Sequence, residues 1–175
     1  MPPSTALLVN YARYHRDPRN IATHYVGIPL IVFAIGVLLA RAQLPGLPLN
    51  AALLAWLLAT FWYLRQGIGV LTMTTIAATG LLVALAQPFA QAPLPVWLGV
   101  GLGSFVVGWT FQLVGHVWEG RKPAFVDDLR GLLVGPMFVI AEVWFALGGG
   151  KSLRERIDAE AGPVSRQSPR PVDHA

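Results

Sequence analysis

The chain has 175 residues, room for one domain, with 54% hydrophobic residues, only 13% charged residues and a formal net charge of +4. A soluble domain carries about 25% charged residues, so this composition points to an integral membrane protein rather than a water-soluble globule. The absence of cysteine excludes disulfides, thiolate metal sites and cysteine nucleophiles, and basic residues clustered at segment ends, with no aromatic-interleaved stripe, speak against nucleic acid as a partner.

Residues 4–15 (STALLVNYARYH) predict a short amphipathic helix on a membrane surface. Ser4 suits its N-cap, and Leu7, Leu8, Tyr11 and Tyr14 form its apolar stripe. Asp17-Pro18 then restarts the chain, with Asp as cap and Pro at the first helical position. The next helix carries Asn20 and His24 at i and i+4, on one face. His15 and His24 are nine apart and would point in nearly opposite directions on one straight helix. The break at Asp17-Pro18 lets them converge.

Four apolar stretches follow, Tyr25–Ala42, Leu49–Leu64, Ile68–Ala86 and Val96–Val117. Each is close to the roughly 20 residues needed to cross a bilayer, the second being short. The first begins after a polar segment and lacks a small-residue cleavage site, so it reads as an uncleaved span. The turns carry PGLP, QG and QPFAQAPLP, rich in breakers. Arg41 and Arg65 mark span ends, and Trp56, Trp62 and Tyr63 suit interfaces. A fifth segment, Gly131–Leu147, contains Pro136 and Glu142 and ends at Gly148-Gly149-Gly150. From Pro136 onward it is too short to span. The chain from Lys151 is charged and then rich in Pro, Ser and Arg, predicting a short helix that fades into disorder.

The expected architecture is therefore all-α and multi-pass, with about four transmembrane helices, a re-entrant or interfacial helix and a surface N-terminal helix. Residues 1–150 form one membrane-embedded catalytic domain, and residues 151–175 a polar, largely disordered tail. With the N-terminus inside and four spans, twelve of the thirteen Lys and Arg are cytoplasmic. Five spans divide them almost evenly, so the positive-inside rule favours four. That topology uses no histidine, yet it places His15, His24 and His116 on the cytoplasmic face.

The stretch Trp109–Phe125 (WTFQLVGHVWEGRKPAF) carries Gln112, His116 and Glu119 at i, i+4 and i+7, on one helix face. Imidazoles, alone or with a carboxylate, suit Fe(II) or Zn(II). The bland alternative is that each histidine is an interfacial side chain bonded to a carbonyl or a lipid phosphate. His174 lies far off in the tail. Glu119 is a candidate ligand, orienting partner or base, against a solvated charge beside Arg121 and Lys122. Glu142 sits in an apolar segment, where a carboxylate needs a partner: a ligand histidine, or an arginine such as Arg130. Asp127 and Asp128 read as helix caps. Arg121 and Lys122 are candidates for a substrate carboxylate, although flanking a span is their commoner role. No nucleotide, flavin or serine-hydrolase motif is present, and GVGLG at residues 99–103 suits helix packing.

YHRDPRNIATHYVGIP (residues 14–29) and QLVGHVWEGRKPA (residues 112–124), with the later Pro136, Phe138 and Glu142, resemble the fungal 2-hydroxy fatty acid dioxygenases that turn phytosphingosine into odd-chain fatty acids, and their bacterial relatives. The resemblance extends to about residue 148. It implies a multi-pass membrane enzyme, dependent on Fe(2+), that cleaves a 2-hydroxy fatty acid between C1 and C2 with O2 to give the acid one carbon shorter. It also implies that His15, His24 and His116 bind the metal; Asn20, Gln112 and Glu119, on matching helix faces, are the candidate catalytic residues, and Glu142 a candidate partner behind a ligand. R-CH(OH)-COOH plus O2 gives R-COOH, CO2 and water without an external reductant, in keeping with the missing nucleotide motifs. The acyl chain would stay among apolar helices, near Phe33, Trp109 or Phe111. Two other readings stand beside this one: a zinc-dependent lipid hydrolase with Glu119 as base, and a non-catalytic lipid-binding membrane protein. Composition and short loops favour a bacterial inner membrane over an endoplasmic reticulum.

Overall fold

The computed structural model describes residues 3–166, and within them all regular structure beyond one isolated bridge is helical. Seven α-helices follow one another: α1 (Pro3–Ala12), α2 (Pro18–Ala40), α3 (Ala51–Arg65), α4 (Val70–Ala86), α5 (Leu94–Glu119), α6 (Gly131–Ala146) and α7 (Lys151–Ala161). Short 3-10 turns at Gln87–Gln91 and Ala124–Val126 join α4 to α5 and α5 to α6.

The start of α2 is dictated locally. The Asp17 side chain accepts a hydrogen bond from Arg19 N at 2.8 Å, and Pro18 opens the helix. α2 then runs 23 residues, about 34 Å, and α5 runs 26, about 39 Å. α4 with its 3-10 extension covers 22 residues. These three are long and apolar enough to cross a bilayer. The expected second span is shorter than its apolar run. Leu44 and Leu49 close a turn, and Asn50 caps the helix by accepting from Leu53 N at 3.0 Å. α3 therefore has 15 residues, about 22 Å, less than a full crossing.

α2 and α5 are antiparallel and form the most extensive helix pair. Their close approach has a cause in the sequence: Gly101, Gly108 and Gly115 recur every seven residues along α5, the period of one helix-packing seam. A Cβ at Gly108 would lie 2.8 Å from Ile31 Cγ1 and 2.9 Å from Gly27 O. One at Gly115 would strike Thr23 Oγ1 and Asn20 Oδ1. The seam brings the first turns of α2 against the last turns of α5, the ends that carry His24 and His116. α3 and α4 return the chain between them, with Asn50 Nδ2 donating to Gln87 Oε1 at 2.7 Å where the start of α3 meets the end of α4.

α6 packs at the histidine end. Gly135 lies against Ile28 and the Tyr11 hydroxyl, and the Tyr63 hydroxyl donates to Leu133 O at 2.8 Å. Tyr63 is thus buried rather than interfacial. Pro136 does not break α6, which runs through it for 16 residues from Gly131. Packed neighbours tolerate the missing donor. The chain turns by 117° between α6 and α7 at Gly148-Gly149-Gly150, where Gly148 and Gly150 take positive φ.

Burial ties both ends of the described chain to the core. Ser4 lies within the first turn of α1 rather than capping it, and Leu8 and Ala12 are fully buried against protein. The polar stretch from Lys151 opens with the expected short helix, α7, whose Ile157 is buried in the same apolar core. Residues 167–175, with His174 and most of the expected disordered tail, lie outside the described residues.

Candidate metal centre

Each histidine is fixed by a main-chain carbonyl or a helix end. His15 Nδ1 lies 2.7 Å from Tyr11 O, and His24 Nδ1 lies 2.8 Å from Asn20 O. A carbonyl only accepts, so Nδ1 carries the proton in both rings and Nε2 keeps its lone pair. Both partners sit four residues upstream, one helical turn away. The ring centroids of His15, His24 and His116 lie 4.5, 4.9 and 5.4 Å apart. His15 stacks on Tyr11 at 4.1 Å and packs against Phe138.

The three rings are buried, and His15 Nε2, His24 Nε2 and His116 Nδ1 have no hydrogen-bond partner. One ligand atom from each of the three lies within 4.8 Å of the other two. Buried polar atoms are normally paired. Three unpaired ring nitrogens this close together fit a transition metal, which takes neutral imidazole. Burial, reinforced by the two neighbouring imidazoles, holds His15 well below the usual imidazole range, so it is neutral as a ligand must be.

Glu119 stands one turn beyond His116, and its carboxylate is turned to the main chain. It accepts from Arg16 N at 2.9 and 3.0 Å, from Asp17 N at 2.8 Å and from Asn20 Nδ2 at 3.0 Å. It thereby clamps the corner between α1 and α2 that aims His15 and His24. Arg16 extends the scaffold outward. Its Nε donates to His15 O at 3.0 Å and its Nη1 to Asp158 and Gly162 O of α7 and the residue after it. Glu142 lies 3.9 Å from Arg16 Nη2 and so touches the histidines only through Arg16. Arg130 pairs with Asp128 instead.

His116 and Gln112 close one end of an apolar cavity of about 260 Å³ between α2, α5 and α6. Gln112 Nε2 and Trp109 Nε1 are buried without partners, and both residues line this cavity. Phe105 and Phe125 line it too, whereas Phe33 and Phe111 do not; Phe33 packs on Phe89. The structure does not bring Arg121 or Lys122 to the cavity. Arg121 donates to Arg13 O at 2.8 Å and lines a separate polar cavity. Lys122 pairs with Asp127 at 2.6 Å, a contact that holds the Asp127 carboxyl below its ordinary range, with the Tyr14 hydroxyl adding to it.

Residues 3–147 match the family model described as 2-hydroxy-palmitic acid dioxygenase Mpo1-like. The chain is 32% identical over 140 residues to the Saccharomyces cerevisiae protein named 2-hydroxy-palmitic acid dioxygenase MPO1, covering 79% of this chain and 78% of the yeast protein. The chain belongs to the Mpo1-like family. No solved structure matches it. The match spans every helix that shapes the Mpo1-like site except α7, and it includes all three histidines. Sequence reasoning overlooked Tyr11, Arg16 and Gly115 in this site. Tyr11 and Gly115 each had a signal, the repeated i−4 relation of Tyr11 to His15 and Asn20 to His24 and the seven-residue glycine period; Arg16 had none.

Proposed function

We propose that the chain is an iron-dependent dioxygenase that shortens long-chain 2-hydroxy fatty acids by one carbon, with His15, His24 and His116 holding Fe(2+). The observation that carries this reading is the set of three unpaired, buried ring nitrogens, one of them on His116 at the end of an apolar cavity. Iron held there would supply the positive charge that a carboxylate needs and the redox chemistry that O2 needs. Among the described residues no Lys or Arg lines the cavity, so the proposed headgroup charge is met there by the metal. Gln112 Nε2 and Trp109 Nε1 are the free donors within reach, and they orient the carboxylate or the hydroxyl. Glu119, Asn20 and Arg16 are positioning residues that fix the histidine corner, with Glu142 behind Arg16.

The cavity walls exclude water from the headgroup and accept the alkyl chain. The long apolar helices support an integral membrane protein in which α6 and α7 form a re-entrant or interfacial pair on the cytoplasmic face. Composition keeps the bacterial inner membrane as the proposed location. The zinc hydrolase reading needs Glu119 as a base, yet every partner of its carboxylate is a donor from the α1–α2 corner. The lipid-anchor reading needs histidines at an interface, yet they are buried.

The test is product analysis. Detergent-purified protein with Fe(II), air and 2-hydroxypalmitate is expected to yield the acid one carbon shorter by mass spectrometry, and His116→Ala is expected to yield none. An iron-loaded wild type that leaves 2-hydroxy acids intact would overturn the proposal.

A further inference from the structure

The cavity that ends at His116 and Gln112 has a neighbour. A second cavity, of about 210 Å³, lies between α2, α3, α4 and α6. Val32 and Ile35 of α2 and Leu132 and Pro136 of α6 line both. The two compartments therefore adjoin at these four residues, the waist of the pair, with Val32 and Pro136 lying deeper and Ile35 and Leu132 exposed.

The second compartment exists because of one face of α3. Ala52, Ala55 and Ala59 stand at i, i+3 and i+7, beside Trp56 and Tyr63 at i+4 and i+11. That is a single helical stripe, and three of its five side chains are methyl groups. Trp56 is held at the back. Its Nε1 donates to Ile76 O at 3.3 Å, and its ring lies so near Gly80 that a Cβ there would come within 2.8 Å. The polar groups of this wall are satisfied internally: Thr79 Oγ1 donates to Thr75 O and the Tyr63 hydroxyl to Leu133 O. Every unpartnered polar atom that lines either cavity sits in the first one. The unpartnered polar atoms of the pair thus lie at one end, and the polar groups at the other are already bonded within the protein, an arrangement that suits a ligand with a polar head and an apolar tail.

The geometry points to the second cavity as the seat of the far part of the substrate's acyl chain, with the alanine face of α3 setting the longest chain accepted. This rests on the dioxygenase reading above and adds chain-length selection to it. The first cavity alone falls short of the roughly 300–1,000 Å³ of ordinary ligand sites, and the two together reach it. Ala59→Phe fills the far compartment, and Val32→Phe fills the waist. The two variants shorten the accepted chain in that order.

The experiment compares kcat/KM for 2-hydroxyoctanoate and 2-hydroxypalmitate in the iron-loaded full chain. In Ala59→Phe, 2-hydroxypalmitate turnover falls roughly 10-fold or more relative to wild type, while 2-hydroxyoctanoate turnover is retained and shows that the variant folds. An unchanged length profile in both variants overturns the inference, the chain then lying in detergent or bilayer. A second measurement works without turnover. A 2-hydroxypalmitate analogue brominated at its far end quenches Trp56 emission, unlabelled 2-hydroxypalmitate reverses the quenching, and Trp56→Phe removes it. Quenching with no turnover of any chain length supports the far cavity as the chain's seat and refutes the dioxygenase reading. Turnover with no Trp56 quenching and an unchanged profile does the reverse.

Discussion

Replacing Glu119 by Gln separates a positioning carboxylate from a catalytic one. The native carboxylate receives three donors on its two oxygens, Arg16 N, Asp17 N and Asn20 Nδ2, at 2.8–3.0 Å. Glutamine keeps one acceptor oxygen, and its NH2 group then faces a main-chain N–H. A hydrogen bond to a charged group contributes about 1.5–3 kcal/mol, and a stranded buried donor costs about 1–3 kcal/mol. Glu119→Gln should thus lose about 2–4 kcal/mol, and Glu119→Ala, which strands all three donors, about 3–6 kcal/mol. For a chain of this size the Gln variant should melt on the order of 10 °C lower in detergent. Because the clamped corner aims His15 and His24, metal affinity should fall roughly 10–100-fold, as when other groups orienting metal ligands are lost. Thermal unfolding and metal titration on the same preparations read both effects. A Gln variant with native melting and native metal affinity but no turnover would refute the reasoning, because Glu119 would then be acting as a base.

Other outcomes follow from the same geometry. Gly115→Ala puts a methyl group onto Thr23 and Asn20 and should destabilise by about 1–3 kcal/mol with loss of metal binding; Gly103→Ala, with nothing within 4 Å, should match wild type in both assays. Gln112→Leu should leave metal affinity unchanged and raise KM for 2-hydroxypalmitate roughly 10–150-fold, the value of one hydrogen bond to a charged group. Metal-free protein should lose stability as pH falls. His15 is held neutral when folded, whereas the unfolded chain takes up a proton from about 6.5 downward; the unfolded state then binds more protons, so stability is complete above that pH and declines below it. Denaturation of the metal-free form at several pH values checks this, and a flat profile between pH 7 and pH 5 would count against a buried neutral His15.

The parts of the site that were legible in the sequence are those set by local chemistry. Asp17-Pro18 announces the start of α2, and spacing puts Asn20 with His24 and Gln112 with His116 on common faces. The family motifs supplied the convergence of the three histidines. What could not be read depends on partners far along the chain. Spacing placed Glu119 beside His116, but its lone pairs are taken by Arg16 N, Asp17 N and Asn20 Nδ2, about one hundred residues earlier. Arg121 and Lys122 looked available for a carboxylate until Arg13 O and Asp127 claimed them. Hydropathy counted Leu49 into the second span, yet the turn closed by Leu44 and Leu49 and the Asn50 cap take it out. Pro136 looked like a helix break, and packing at α6 carries the helix through it.

The most direct measurement of the central claim is O2 consumption set against acid formed. Protein loaded with Fe(II) and given 2-hydroxypalmitate should consume one O2 for each chain-shortened acid and each CO2 released. Zinc-loaded protein should consume none, and His15→Ala, His24→Ala and His116→Ala should each abolish uptake. Chain-shortened acid formed without O2 uptake, or uptake that survives loss of any of these histidines, would contradict the account.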